Sequence, residues 1–360
     1  MRHAVPRRFR RSLFSCVVVG AAVGVSFLAL AESSQAGPPR KSLEIYFVDV
    51  EGGQATLFVT PEGQSLLIDT GWPGNAGRDA DRIVAAAKKA GRSRIDFVLL
   101  THYHVDHVGG VPQLFAKIPV GAFIDHGANR EPGDLETEQS WEAYQKLVSS
   151  QHVTRIIAKV GDSLPIEGLR AEIVSSDGAS IQQPLPGGGA QNAACSSTEN
   201  RPADQTENAR SLGTMITFGK VRILDLGDLT QDKEVELVCP VNKLGPVDIF
   251  IVSHHGWWQS NGPALLSAIS PRIAIMDNGA DKGGTPSSWD TIKNSPKLKD
   301  LWQLHFSNEG GAAHNSASSF IANLVGPDAG NYLKLSVWAD GKLEVYNSRT
   351  QKIKHYKPTR

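Results

Sequence analysis

The chain has 360 residues, 40% of them hydrophobic and 21% charged, which is the composition of an ordinary globular protein and excludes a disordered or fibrous one. Lysine plus arginine and aspartate plus glutamate number 37 each, so the formal net charge is zero. No summed field therefore draws the protein to an anionic membrane or to nucleic acid, and nucleic acid stays open as a partner only through a local basic patch.

The first 36 residues have the order of a secretory signal. Five arginines within the first 11 residues precede an apolar run over 13–31, and polar residues follow. This order predicts a signal peptide over 1–36 that is cleaved off, leaving one domain over 37–360 without a stable transmembrane anchor. A Sec signal is expected, and Arg10-Arg11-Ser12 keeps a twin-arginine signal as the alternative. Both routes place the mature chain in the periplasm or outside the cell.

Two cysteines, Cys195 and Cys239, lie beyond the predicted signal peptide. An oxidising compartment permits a disulfide between them, but two cysteines make neither a disulfide scaffold nor a thiolate zinc site. The composition therefore favours two unpaired thiols.

The first half of the mature chain alternates strands and helices. Runs of β-branched and aromatic residues predict strands, and apolar residues at helical spacing predict helices. Strands are predicted over 43–50, 55–60, 65–69, 97–100, 122–125, 155–160 and 169–174, and helices over 78–90 and 139–150. Between 175 and 210 the composition changes to Gly, Pro, Ser, Asn and Gln, which predicts a long loop able to act as a lid.

The second half continues the same pattern after this loop. It predicts a hairpin over 212–218 and 221–226, strands over 247–253 and 273–276, a helix after Ser316 and a hairpin over 333–346. No internal repeat and no interdomain linker interrupts the sequence, so we expect one α/β domain with mixed strand direction.

The densest group of potential metal ligands follows the predicted strand over 97–100. Within six residues, directly before Gly109-Gly110, stand His102, His104, Asp106 and His107. His102 and His104 are two residues apart, so on an extended chain their side chains project to the same side. Imidazole nitrogen and carboxylate oxygen are ligands for zinc. One short segment can therefore serve two metal ions; the alternatives are a polar surface loop and a structural zinc.

Two further apolar runs end on potential ligands. The run over 223–226 leads to Gly227-Asp228, and the run over 250–253 leads to His254-His255. Because neighbouring strands bring their ends to the same edge of a sheet, these groups are expected beside the first cluster. For Asp228 alone, a turn or helix-cap aspartate is the alternative. Asp69 ends a fourth apolar run and is a candidate to orient one of the ligands.

The order His-x-His-x-Asp-His, with a separate aspartate and histidine later, resembles the metallo-β-lactamase superfamily over nearly the whole mature chain. The sequence is most similar to the branch of the extracytoplasmic domain of ComEC competence proteins. That branch has sequence motifs similar to Asp69-Thr70-Gly71, Asn208-Ala209-Arg210-Ser211-Leu212, Leu226-Gly227-Asp228 and Ser253-His254-His255-Gly256. The resemblance implies an αββα sandwich with two zinc ions in a cleft at one sheet edge. It also implies a first metal on His102 and His104, a second on Asp106, His107 and His254, and Asp228 as the bridge.

This chain departs from the family pattern at the first metal. Most hydrolytic members carry another histidine there, and the matching stretch of this chain offers Asn208 and Ser211 instead. The first zinc site is therefore expected to be the less complete of the two. His126 and His152 are candidate substitute ligands, and an ordinary structural role is the alternative for each.

A second departure follows the histidine pair. The ComEC-like branch has Gly-His-Pro where this chain has Gly284-Thr285-Pro286. A substrate-contacting histidine is therefore missing, or His305 or His314 replaces it; a surface histidine is the alternative for both.

Together these residues predict a zinc-dependent hydrolase in which a hydroxide shared by two metals attacks a phosphorus or carbonyl centre. Asp106 is the candidate proton acceptor and His255 the candidate proton donor to the leaving group. Trp257 and Trp258 either wall the cleft or serve ordinary packing. The expected substrate is a small-molecule or envelope-derived phosphodiester or related ester, because the resemblance is to nucleases and phosphodiesterases. The alternatives are a β-lactam or lactone hydrolase and a non-catalytic zinc-binding envelope protein.

Overall fold

The computed structural model of the protein describes residues 42–198 and 201–358. The predicted signal peptide over 1–36 lies outside these residues. Within the two described stretches, no helix has both the length and the apolar character needed to cross a bilayer.

The described residues form 17 strands and seven α-helices. The strands are β1 (Ser42–Phe47), β2 (Thr56–Val59), β3 (Ser65–Ile68), β4 (Ile95–Leu99), β5 (Val120–Asp125), β6 (Thr154–Ile157), β7 (Arg170–Ser176), β8 (Ala179–Ser180), β9 (Gly213–Phe218), β10 (Val221–Asp225), β11 (Ile249–Ile251), β12 (Ile273–Met276), β13 (Asp300–His305), β14 (Ile321–Asn323), β15 (Leu333–Trp338), β16 (Leu343–Asn347) and β17 (Lys352–Tyr356). The helices are α1 (Arg78–Lys89), α2 (Val105–Val108), α3 (Val111–Phe115), α4 (Leu135–Gln151), α5 (Gln231–Val238), α6 (Pro263–Ile269) and α7 (Pro286–Lys293).

The strands form two mixed sheets. Sheet A has the order β17-β16-β15-β1-β2-β3-β4-β5-β6, and sheet B has the order β14-β13-β12-β11-β10-β9-β7-β8. Pairing is parallel from β3 to β6 and from β10 to β14, and antiparallel in the rest of each sheet. Parallel strands end at a common edge, so each sheet offers one edge where several chain segments leave together.

Apolar side chains fill the space between the two sheets, and helices cover the outer faces. Alternate residues of a strand point to opposite faces, which is why Leu43, Ile45 and Phe47 of β1 lie in the core between the sheets. On the outer face of sheet A, helix α1 packs Ile83 and its neighbours at helical spacing. Helices α5, α6 and α7 cover sheet B in the same way. The layers are therefore α, β, β, α, which confirms the predicted sandwich.

Some elements of the second half differ from the sequence prediction. The expected helix after Ser316 is wrong, because a single 3-10 turn at Ser318–Phe320 leads directly into β14. The sequence pattern also does not predict α5, α6 and α7. These helices are seven or eight residues long, which is too short for an apolar repeat to become visible.

Cys195 and Cys239 form a disulfide, with 2.03 Å between the sulfur atoms and 5.8 Å between the Cα atoms. The expectation of two unpaired thiols is therefore wrong. The bond ties the 3-10 turn Ala193–Ser197, within the long loop, to the residue after α5. The two cysteines are 44 residues apart in the sequence, and nothing in the sequence indicates that they lie close together. Their proximity arises because the loop folds over sheet B.

Candidate metal centre

The candidate ligands lie where the parallel strands of both sheets end. The chain leaves β4 in extended conformation through His102 and His104 and turns into the one-turn helix α2, which carries Asp106 and His107. Strand β10 leads to Asp228, and β11 leads to the histidine pair. The sequence expectation that these strand ends converge is therefore confirmed.

Close packing explains the glycine pair that follows the first cluster. A Cβ on Gly110 would lie 2.1 Å from the carbonyl oxygen of Thr70, and one on Gly109 would lie 2.2 Å from that of Val105. Thr70 in turn donates two hydrogen bonds to the same loop, since its N–H and its hydroxyl both donate to the carbonyl of His107. The two glycines thus let the ligand loop lie directly on the end of β3.

Four ligand atoms face one point at the centre of the site. Asp106, His107, Asp228 and His255 each present one nitrogen or oxygen within 4.8 Å of the others, and all four residues are buried. His107 Nε2 is 3.2 Å from Asp106 Oδ2 and 3.3 Å from Asp228 Oδ2. His255 Nε2 is 3.2 Å and 3.4 Å from the same two oxygens. This is a compact group of two imidazoles and two carboxylates.

A second group shares Asp228 with the first. His102 Nε2 lies 3.0 Å from His104 Nδ1 and 4.0 Å from Asp228 Oδ2. His254 Nε2 reaches the same oxygen at 3.5 Å. Asp228 Oδ2 therefore lies within 4.0 Å of His102 and His254 as well as of His107 and His255 of the compact group.

The histidine pair is arranged differently from the sequence expectation. The resemblance implied His254 beside Asp106 and made His255 the candidate proton donor, while the sequence left open which of the two is the ligand. In the structure His255 lies beside Asp106, and His254 reaches Asp228. Both residues have a positive φ of 53°. Two successive left-handed residues are rare outside glycine, and with this backbone both Nε2 atoms approach Asp228 Oδ2 while His255 Nε2 also lies 3.2 Å from Asp106 Oδ2.

Hydrogen bonds on the opposite ring nitrogens orient the histidines. Asp69 accepts from His107 Nδ1 at 2.7 Å, which agrees with its expected role as an orienting acid. The Thr101 hydroxyl donates to Asp69, so it accepts from His102 Nδ1 at 3.0 Å. In each ring the Nε2 atom that faces Asp228 is then the nitrogen with a free lone pair.

The same logic holds for the histidine pair. The Ser260 hydroxyl donates to the carbonyl of Leu229, so it accepts from His254 Nδ1 at 3.3 Å. Burial lowers the pKa of His254 to about 4, which leaves the ring neutral at pH 7. His255 Nδ1 faces Asp277 Oδ1 at 3.4 Å. Neutral imidazoles with a free Nε2 are the form that binds metals.

The carboxylates of the site also fit a cation. Asp228 Oδ1 is buried without a hydrogen-bond partner, which is costly for a carboxylate oxygen unless a positive group meets it. Burial would raise the pKa of Asp228, but the adjacent histidines, His107 foremost, lower it well below its ordinary value. An ionised acid among imidazoles that release their protons when a metal binds is a donor set suited to divalent metal ions.

His104 is held by Glu131, which is supported in turn by Glu207, and the sequence patterns reveal neither acid. Its Nε2 donates to Glu131 Oε2 at 3.0 Å, so its Nδ1 carries a free lone pair, as does the His102 Nε2 that it faces. Glu131 also accepts from the backbone N–H of Glu207 at 2.9 Å. Glu207 is fully buried and bonds His126 Nε2 at 2.9 Å and the N–H of Tyr103 at 3.1 Å. Through these hydrogen bonds, Glu207 connects the segment before β9 to the ligand loop.

We expect Glu131→Gln to weaken metal binding at the His102–His104 side by roughly 10- to 100-fold, since removal of an orienting carboxylate typically costs that much. Competition titration against a chromophoric chelator measures this affinity. Glu136→Gln, on the exposed face of α4, serves as the control. Unchanged affinity in Glu131→Gln would show that this hydrogen bond does not position His104.

The substitute ligands considered from sequence lie away from the centre. His126 pairs with Glu207, and His152 is the exposed left-handed residue that ends α4. His314 lies 3.6 Å from Asp290. Asn208, at the place of the family histidine, has a buried Oδ1 without a hydrogen-bond partner, and Ser211 instead accepts from the N–H of Asp228.

His305 belongs to a separate group. Its Nε2 lies 2.6 Å from Asp49 Oδ1 and 3.7 Å from Glu51 Oε1. The other oxygen of Asp49 is paired with Arg82 at 3.0 Å. The guanidinium of Arg82 and the imidazole of His305 already neutralise Asp49. We therefore interpret this group as a structural ion-pair network.

Two residues at the centre were missed from sequence. Asp277 follows β12 directly, so the same strand-end argument that found Asp228 could have found it. Lys282 forms an ion pair with Asp106 and comes from the loop 279–284, whose glycine-rich composition gave no signal of a site.

Comparisons with known proteins agree with this fold. Two sheets with helices on both outer faces and ligands at one edge define the metallo-β-lactamase fold, and the family model described as Metallo-beta-lactamase superfamily matches residues 48–193. The chain carries a domain of the metallo-β-lactamase superfamily, and its relatives support the ComEC-like branch.

Three relatives illustrate the similarity. Hydroxyacylglutathione hydrolase of Stenotrophomonas maltophilia (strain R551-3) is 32% identical over 100 residues, which are 28% of this chain and 36% of that protein. ComE operon protein 3 of Bacillus subtilis (strain 168) is 23% identical over 250 residues, 66% of this chain and 28% of that protein. Recombination protein 2 of Haemophilus influenzae is 23% identical over 64% of this chain and 24% of that protein. The matches thus span 36% or less of the length of these relatives.

Among solved structures, the metallo-beta-lactamase fold protein YhfI from Bacillus subtilis is similar with a TM-score of 0.46 and 14% identity. The similarity covers 73% of this chain and 96% of that one.

Proposed function

We propose that the protein is an exported metallo-hydrolase with two zinc ions that cleaves a phosphodiester or related ester. The observation that carries the proposal is that Oδ2 of Asp228 lies 3.3 to 4.0 Å from the Nε2 atoms of four histidines: His102, His107, His254 and His255. Two divalent ions at such a centre would activate water as a nucleophile and neutralise the charge that develops on the ester.

The geometry supports a particular distribution of ligands. One ion would take His102, His104 and His254, the other would take Asp106, His107 and His255, and both would share Asp228. In this distribution His254 replaces the histidine that the family pattern has and this sequence lacks. Its neutral ring and its 3.5 Å approach to Asp228 favour it over the amide oxygen of Asn208.

The protein residues around the centre keep the ligands in place. Asp69 and Thr101 hold the rings of His107 and His102, and Glu131 holds that of His104. Because His255 belongs to the ligand group in this assignment, it is no longer the candidate proton donor. Asp106 keeps its expected place beside the centre.

Export is supported by the disulfide. A bond between Cys195 and Cys239 persists in an oxidising compartment and is rare in a reducing cytosol. Together with the apolar run over 13–31, it favours the periplasm or the cell exterior as the location.

Hydrolysis assays with the purified protein test the proposed activity. We expect turnover of bis-p-nitrophenyl phosphate that is lost on chelation and restored by zinc, and no turnover of nitrocefin. Turnover of nitrocefin alone would favour a β-lactam hydrolase. Inactivity on both and on lactone substrates, with zinc bound, would favour a non-catalytic zinc-binding protein.

A further inference from the structure

One ammonium group lies directly at the candidate metal centre. Lys282 Nζ is hydrogen-bonded to Asp106 Oδ2 and lies 4.8 Å from the centroid of the Trp72 ring. Its side chain is 32% exposed, whereas that of Asp106 is 6% exposed. The lysine therefore stands at the boundary between the buried ligands and the solvent, where a substrate has to arrive.

The backbone around Lys282 is held on both sides by close packing. A Cβ on Gly52 would lie 2.9 Å from Gly279 N and 2.9 Å from Lys282 Cβ, so the β1–β2 loop lies directly against this segment. On the other side, a Cβ on Gly283 would lie 2.1 Å from the carbonyl oxygen of His255. The N–H of Gly284 donates to that same carbonyl at 2.9 Å. The loop is therefore fixed between the two segments that flank the centre.

The charges around Lys282 determine which group its ammonium can bind. Cations bound to Asp106 would neutralise that carboxylate and repel an ammonium group, while the face of Trp72 continues to attract it. Lysine carries a compact charge on a flexible four-carbon stem, which lets the ammonium turn from Asp106 towards the solvent side. A negatively charged oxygen of an incoming substrate is the natural partner in that position.

We propose that Lys282 binds an anionic oxygen of the substrate and thereby makes the site selective for negatively charged esters over neutral ones. This inference rests on the proposed function, since it names the charge of the substrate that the same centre hydrolyses. It makes Lys282 a specificity-determining residue, with Trp72 as the surface that holds its ammonium group.

The variant Lys282→Met keeps the length of the stem and removes the charge. We expect zinc-loaded Lys282→Met to bind inorganic phosphate about 10- to 100-fold more weakly than the wild type in a calorimetric titration, the range expected for loss of a charge-assisted hydrogen bond. We further expect its KM for methyl p-nitrophenyl phosphate to rise by about 10-fold or more, and that for the neutral dimethyl p-nitrophenyl phosphate to change less than about 2-fold. Lys282→Arg should recover part of the loss, and Lys297→Met, at an exposed position, is the matched control.

Each other outcome has a distinct meaning. Equal phosphate affinity in Lys282→Met and the wild type overturns the inference, and so does loss of zinc from Lys282→Met, because the lysine would then support Asp106 and not the substrate. Equal effects on the charged and neutral esters overturn it while the proposed hydrolase stands. Lysine-dependent phosphate binding without turnover of either ester supports the anion site and overturns the proposed function instead.

Discussion

Asp228→Asn is expected to lose both metal ions and to lower hydrolysis of bis-p-nitrophenyl phosphate by on the order of 10³-fold or more. The amide keeps the size of the side chain and removes the negative charge that both histidine groups share. Since Oδ1 of Asp228 has no other partner and Oδ2 is the atom that His107, His254 and His255 all face, no neighbouring acid takes over this position.

Elemental analysis after dialysis measures the metal content, and hydrolysis of bis-p-nitrophenyl phosphate measures the activity. Asp290→Asn, an exposed aspartate on α7, is the control and should keep full metal content. If Asp228→Asn retained two equivalents of metal, the aspartate would not bridge the two groups. Near-ultraviolet circular dichroism of the variant shows whether the fold is intact, which separates loss of ligands from loss of structure.

The double variant Cys195→Ala, Cys239→Ala is expected to lose about 3 to 4 kcal/mol of its free energy of unfolding. A bond that closes a loop of 44 residues restricts the unfolded chain by an amount of this order. The metal centre lies on other segments, so the metal content should stay as in the wild type. Urea unfolding at constant zinc concentration measures the difference.

Reduction of the wild type supplies the control for this experiment. Dithiothreitol should lower the stability of the wild type to that of the double variant and leave the double variant unchanged. If oxidised and reduced wild type unfold at the same urea concentration, the two cysteines are not bonded in the native protein.

The α/β chain with mixed strand direction and the position of the centre were predictable because each depends on local patterns, and the αββα sandwich followed from the family resemblance. Continuous apolar runs followed at once by His, Asp or Gly mark strands that end at a site, and four such runs converge as expected at Asp69, His102, Asp228 and His254. The short helices α5 to α7 were not predictable, since one or two turns show no apolar period.

The detailed ligand geometry was not predictable from sequence for a different reason. Whether His254 or His255 faces Asp106 depends on two successive positive φ angles, which no residue type in this segment demands. Glu131 and Lys282 reach the centre from loops whose path is decided by long-range packing, as the contact of Gly52 with Gly279 shows. The pairing of Cys195 with Cys239 likewise depends on long-range packing.

The metal content of the wild-type protein, purified without added metal, tests the central claim most directly. The two groups that share Asp228 predict two equivalents of zinc per chain, and both should be lost from a folded His102→Ala, Asp228→Ala variant. A folded wild type without metal, or unchanged metal content in that variant, would contradict a two-metal centre at these residues.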